Sequence, residues 1–185
     1  MNCKAGDVIA VEGVDSNGLI SKLIEKSQLR MGYTPEQARI THIAICINHH
    51  GDILEEERIG VRLWNIQRYA EQGIKCHVYR HKTADPEEIT RIAMRLSHNE
   101  DFSQREYDFT LMLGLWFVSL GMPIGWVDFF NNKKRAICSE YVLEVFVKAG
   151  IIKRKEKKLY LPAQWKVWEQ EGFFKEIKQG NEKPI

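Results

Sequence analysis

Residues 40–48 read ITHIAICIN, and little other than a strand with one buried face accommodates that run. Residues of β propensity recur at every second position, which a pleated strand places on a single face. The next four residues, HHGD (49–52), form a turn, with Gly51 free to take positive φ. Residues 53–58 and 61–63 then read as returning strands, so 48–53 is the tip of a hairpin. Two further strands are predicted, at 6–13 (GDVIAVEG) and 73–80 (GIKCHVYR). Helices are predicted over 19–29, from Asp85 and Pro86 to about His98, over 138–149 with Gly150 as the stop, and in the aromatic-rich stretch after Leu161. Thr34-Pro35-Glu36 reads as a loop, and 103–134 is the least regular part. Helices mixed with hairpins place the chain in the α+β class, an antiparallel sheet packed against a helix that carries a cysteine.

The remaining bounds come from size and charge. A chain of 185 residues, 44% hydrophobic and 28% charged, is an ordinary globular domain with enough length to bury a core. Lys+Arg 27 against Asp+Glu 25 leaves a net charge of +2, too small a basic excess for dedicated nucleic-acid binding. The four cysteines, Cys3, Cys46, Cys76 and Cys138, contain no CxxC pair and favour a reducing compartment over a disulfide framework. The start, MNCKAG, lacks the layout of a secretory signal. The uncharged run 111–126 falls short of the ~20 residues a spanning helix needs, and glycines and a proline interrupt it. The expectation is a cytoplasmic protein with no stable membrane anchor, whose routes outward would be lysis or carriage in a virion.

Candidate chemistry begins at CSEYVLEVFVKAG (138–150). Apolar residues at 138, 141, 142, 145, 146 and 149 make one helical face, with Ser139, Glu140, Glu144 and Lys148 on the other. Cys138 therefore sits in a first helical turn, where the dipole favours a thiolate and the free backbone N–H suits an oxyanion. A plain buried cysteine fits the same pattern. A thiolate nucleophile needs a base. In the strand 40–48, alternation puts His42, Ala44, Cys46 and Asn48 on one face, and the small Ala44 leaves room there for a helix to approach. Across the hairpin, one carboxylate of Glu55, Glu56 and Glu57 should share the face of His42 and accept its ring N–H. A satisfied histidine beside a solvated acidic edge strand is the alternative.

Taken in order, GDVIAVEG, THIAIC, ILEEERIGVR and then CSEYV resemble NlpC-type papain-like enzymes in a circularly permuted arrangement, with the cysteine helix after the histidine strand. The family is the YaeF/YiiX-like one, related to the lecithin retinol acyltransferase group. KCHVYRHK, the helix after Asp85, and Glu106-Tyr107-Asp108-Phe109 also match, and the resemblance spans roughly residues 5–150. It implies one permuted papain-like domain over 1–185, with an apolar insert or lid at 105–135 and a C-terminal extension at 151–185. It implies Cys138 as nucleophile, His42 as base, and Glu55 as the third polar residue, with Glu56 the register-slip alternative. The implied activity is a thiol amidase or peptidase that needs no metal or other cofactor and acts on a peptide such as a bacterial cell-wall cross-link.

Two other readings stay open. The apolar insert suits a lipid-directed acyltransferase or thioesterase, and the same fold could serve as a non-catalytic binding or structural module, for example of a phage particle. Segment 111–130, with Trp116, Phe117, Trp126, Phe129 and Phe130, reads as core and lid packing or as a patch for an acyl chain or protein partner. Cys76, His77 and His81 lie along one strand spanning ~13 Å, too far for one metal ion. His49-His50 is a solvated tip. The basic run 153–158 reads as a solvated turn, with anionic-surface binding as the lesser reading.

Overall fold

The computed structural model describes residues 2–13, 18–57, 60–99, 109–124, 138–154 and 159–178. Its centre is a six-stranded antiparallel sheet in the order β4-β3-β2-β1-β5-β6. The strands are β1 (Val8–Glu12), β2 (Ile40–Cys46), β3 (Asp52–Glu57), β4 (Gly60–Asn65), β5 (Cys76–His81) and β6 (Phe174–Glu176). The helices among the described residues are α1 (Leu19–Arg30), α2 (Pro35–Ala38), α3 (Gln67–Glu71), α4 (Pro86–Ser97), α5 (Phe109–Ser119), α6 (Cys138–Lys148) and α7 (Ala163–Gln170). The α+β class is as the sequence implies.

Alternation along the strands gives the sheet two apolar faces. Val8, Ala10, Ile43, Ile45 and Tyr79 pack with Tyr141, Val142, Val145 and Phe146 of α6, with α4, and with Trp165 and Phe174. Ile9, Val11, Ala44, Cys46, Ile53 and Val78 pack on the other side with Cys3, Ile66 and Tyr69. Ile43 and Ile45 are fully buried, and each such side chain contributes roughly 1.5–3 kcal/mol. The cysteine helix therefore lies on the Ile43 and Ile45 face. That corrects the expectation that small Ala44 makes room for it: Ala44 faces the layer built from Cys3, Ile66 and Tyr69.

Other local differences have simple causes. The Thr34 segment is the start of α2, closed by a reciprocal capping box: the Gln37 N–H donates to Thr34 Oγ1 at 3.3 Å and the Thr34 N–H to Gln37 Oε1 at 2.9 Å. Pro35 there fixes a helical φ rather than a loop. Helix α5 is regular although its sequence carries no polar face to announce it. Five-residue α3 and three-residue β6 are too short for periodicity to register. Strand β6 also places residues 174–176 inside the sheet, where they cover the edge of β5. In α6 the nominally polar Ser139 and Glu140 are buried, because residues 159–162 cross that side and Ser139 Oγ donates to the Tyr160 carbonyl at 2.6 Å. The Asp85 cap and Pro86 start of α4 are as expected, with the Glu87 N–H donating to Asp85 Oδ1 at 3.0 Å.

The β2–β3 hairpin is held at its tip by Asn48, whose Oδ1 accepts from the His50 and Asp52 N–H groups at 2.9 and 3.1 Å. Gly51 follows with φ 85, and a Cβ placed there would lie 2.8 Å from Ile66 Cγ2. Gly51→Ala is accordingly expected to lower stability by about 1–3 kcal/mol, from backbone strain and that contact together. Urea denaturation of the two proteins checks it; an unchanged midpoint would mean that the tip does not depend on glycine.

Candidate functional site

The hairpin sets the first two residues of the site. Ala44 pairs with Glu55 across β2 and β3, so Glu55 shares the face of Ala44 and of His42, two residues away. His42 Nε2 lies 2.7 Å from Glu55 Oε2. Glu55 is fully buried, an arrangement that is unfavourable for a carboxylate without compensating donors. Two more groups compensate it. The Tyr69 hydroxyl donates to the same Oε2, and Arg68 supplies a counter-charge, one guanidinium nitrogen standing 3.0 Å from Oε1 without a well-aligned hydrogen bond to it. Arg68 is itself fixed by Glu57 at 3.1 Å and by stacking 4.4 Å over the Trp64 ring. Burial raises the Glu55 carboxyl, but His42, Tyr69 and Arg68 outweigh it and hold the group below its ordinary range. Burial and the Glu55 charge push the Tyr69 phenol up, which keeps it a donor.

Cys138 opens α6 and is 1% exposed. It bears on His42 both as a charge and as a hydrogen-bond partner. With Nε2 engaged by Glu55, Nδ1 is the ring nitrogen left for the sulfur. Burial pulls the His42 imidazole down, yet Cys138 and then Glu55 outweigh it and push the ring up from 6.5 to about 10. The structure thus gathers Cys138, His42 and Glu55. Glu56, the register-slip alternative, is buried on the opposite face, where its charge bears on Tyr141 of α6.

Other candidates are elsewhere. His77 bridges Glu12 and Glu176 at 2.7 Å each, in a network that includes Lys166, 3.2 Å from Glu176. His81 Nδ1 accepts from the Thr83 and Ala84 N–H groups and so shapes a turn. Cys76 is a thiol that burial, then Glu55 and Glu12, push up to about 12. Among the described residues no three or more His, Cys, Asp or Glu side chains are grouped to hold a metal ion. A cavity of about 320 Å³ walled by Tyr160, Trp168 and Phe174 lies beside Ile151, past the C-terminal end of α6, and includes none of the three gathered residues. Residues 125–137, including Trp126, Phe129 and Phe130, and residues 155–158 of the basic run lie outside the described residues.

Sequence reasoning missed Arg68 and Tyr69. Their only signal is proximity to a strand end, since a five-residue helix has no readable face.

Two measurements follow from this geometry. A raised histidine pKa means that the protonated ring adds stability in full below pH 6.5, and that this contribution is lost as pH climbs through about 10. Imidazole NMR should find His42 protonated at pH 8, and Cys138→Ala or Glu55→Gln should each move its titration downward. A ring already neutral at that pH would contradict the arrangement. Tyr69→Phe keeps the ring and removes one donor from a buried carboxylate; the expected loss in chemical denaturation is about 1–3 kcal/mol.

No family model matches the chain, and no curated protein matches it. Among solved structures the chain is similar to the crystal structure of metalloprotein YiiX from Escherichia coli O157:H7, DUF1105, at 17% identity and a TM-score of 0.49, over 92% of this chain and 82% of that one.

Proposed function

We propose that the chain is a cysteine hydrolase that cleaves an amide bond through a thioester on Cys138. The observation that supports this reading is His42, 2.7 Å from the buried Glu55 carboxylate and influenced by Cys138 as well. A nucleophile, a base and a group that orients the base are what covalent acyl transfer requires. The order of the histidine strand, acidic strand and cysteine helix, which resembles permuted papain-like enzymes, supports it further.

In this reading Glu55 fixes the ring so that Nδ1 faces Cys138. The sulfur attacks the carbonyl carbon as a thiolate, and a tetrahedral oxyanion forms beside the N–H groups of the first turn of α6, which have no intrahelical acceptor. The His42 imidazolium gives its proton to the leaving nitrogen, the C–N bond breaks, and the amine departs. Water then loses a proton to the neutral ring and attacks the thioester. The acid is released, and the sulfur and the imidazolium are restored. A peptide such as a bacterial cell-wall cross-link is the proposed substrate.

A lipid-directed acyltransferase or thioesterase is the second reading, and the exposed apolar face of α5, with Leu113 and Trp116 43% and 46% exposed, favours it.

Alkylation with iodoacetamide from about pH 5 to about pH 9, read by peptide mass spectrometry, separates these from a non-catalytic module. Buried Cys3 and Cys46 act as internal controls. Cys138 is expected to label at least about tenfold faster than either below pH 7, and His42→Ala to abolish that advantage. Labelling of Cys138 no faster than the controls would remove the enzyme reading. Muropeptide cleavage lost in Cys138→Ala supports the amidase, whereas a long-chain thioester on Cys138 would transfer the assignment to the lipid enzyme.

A further inference from the structure

Helix α5, FTLMLGLWFVS, has no charged residue on any side. Its inner face, Leu111, Leu115 and Val118, is buried against Ile24 and Leu161. Its outer face is apolar too: Leu113, Trp116 and Leu120 at its C-terminal edge are 43%, 46% and 58% exposed, and spacings of three and four residues align them. Surface helices of globular domains normally carry charged and polar groups on that side. The chain continues in the same character, with Met122 and Ile124 exposed.

Helix α1 packs directly against α5, and Ser27 Oγ donates to the Leu115 carbonyl at 2.7 Å. The outer stripe of α1 is cationic, with Lys22, Lys26 and Arg30 exposed at four-residue spacing, while its one acid, Glu25, is partly buried. Leu19 and Leu29 flank those cations at 71% and 40% exposure. One packed helix pair thus turns outward an uncharged apolar face and a basic face with leucines at its margins.

We propose that this α1–α5 layer docks on the surface of an anionic lipid bilayer. An apolar helix face beside a cationic one is the combination that buries side chains at the headgroup boundary while lysines and arginines meet anionic lipids. Trp116 has the amphipathic ring favoured at that depth. At eleven residues α5 is roughly 16 Å long, suited to lie in the interface, and no described helix is long and apolar enough to cross a membrane. A protein partner fits less well, because protein interfaces carry a polar rim and a regular complement of hydrogen bonds. The outer α5 face offers little of either: of its exposed side chains, Leu113, Trp116 and Leu120, only the Trp116 indole N–H is polar, and the nearby Ser119 is buried and donates to the Trp116 carbonyl at 2.7 Å. This inference is independent of the chemistry at Cys138.

The test is flotation of the full chain with phosphatidylcholine vesicles with and without phosphatidylglycerol, alongside analytical ultracentrifugation without lipid. Binding is expected only to the anionic vesicles, weakening as salt rises from about 0.05 M to about 0.5 M. Trp116→Glu and the double change Lys22→Glu with Lys26→Glu lie on exposed positions, and circular dichroism should confirm that both fold; each is expected to weaken partitioning at least about tenfold. No flotation of the unaltered chain, or equal flotation of the two variants, would overturn the proposal. A lipid-independent dimer that Trp116→Glu converts to monomer, with no flotation, would assign the face to a second copy and overturn it as well.

Discussion

The Glu55 carboxylate is the constraint around which this molecule is arranged. A charge with no exposed surface is tolerable only where hydrogen bonds and counter-charges replace water. Here three side chains from two elements provide them: His42 of β2 and Tyr69 of α3 as hydrogen-bond partners, and Arg68 of α3 as a counter-charge. Each donor requires its element to be in register. The hairpin tip at Gly51, which touches Ile66 one residue ahead of α3, joins the same requirement to the backbone. Folding and site geometry are therefore one problem on this side of the sheet.

The other side answers to a different demand. Helix α6 is buried almost all round over its first two turns, wedged between the sheet and residues 159–162. That enclosure places the N-terminal turn of α6 against the strand carrying His42. Electrostatics then bind the two sides together: Cys138 and then Glu55 raise the ring of His42 against the opposing effect of its own burial.

Legibility in the sequence followed the length and contrast of each pattern. Strand β2 was readable because nine residues alternate without a break, and that alternation alone places His42 opposite Ile43. Helix α6 was readable from six apolar positions at helical spacing, and the stop at Gly150 agrees. Where contrast is missing, reading fails. Helix α5 has no polar side to mark its period, and α3 is shorter than two turns. Proline in Thr34-Pro35-Glu36 has two meanings, and only the capping box formed by Gln37 decides between them.

The sequence by itself determined the α+β class, the hairpin that carries His42 and Glu55, and the position of Cys138 in a first helical turn, because each depends on residues within one or two elements. Tertiary structure alone decided which sheet face α6 occupies, that Glu55 rather than Glu56 meets the histidine, and that Arg68 and Tyr69 complete the carboxylate's shell. Those outcomes depend on how buried volume and charge are shared among elements distant in the chain. No local period encodes that balance.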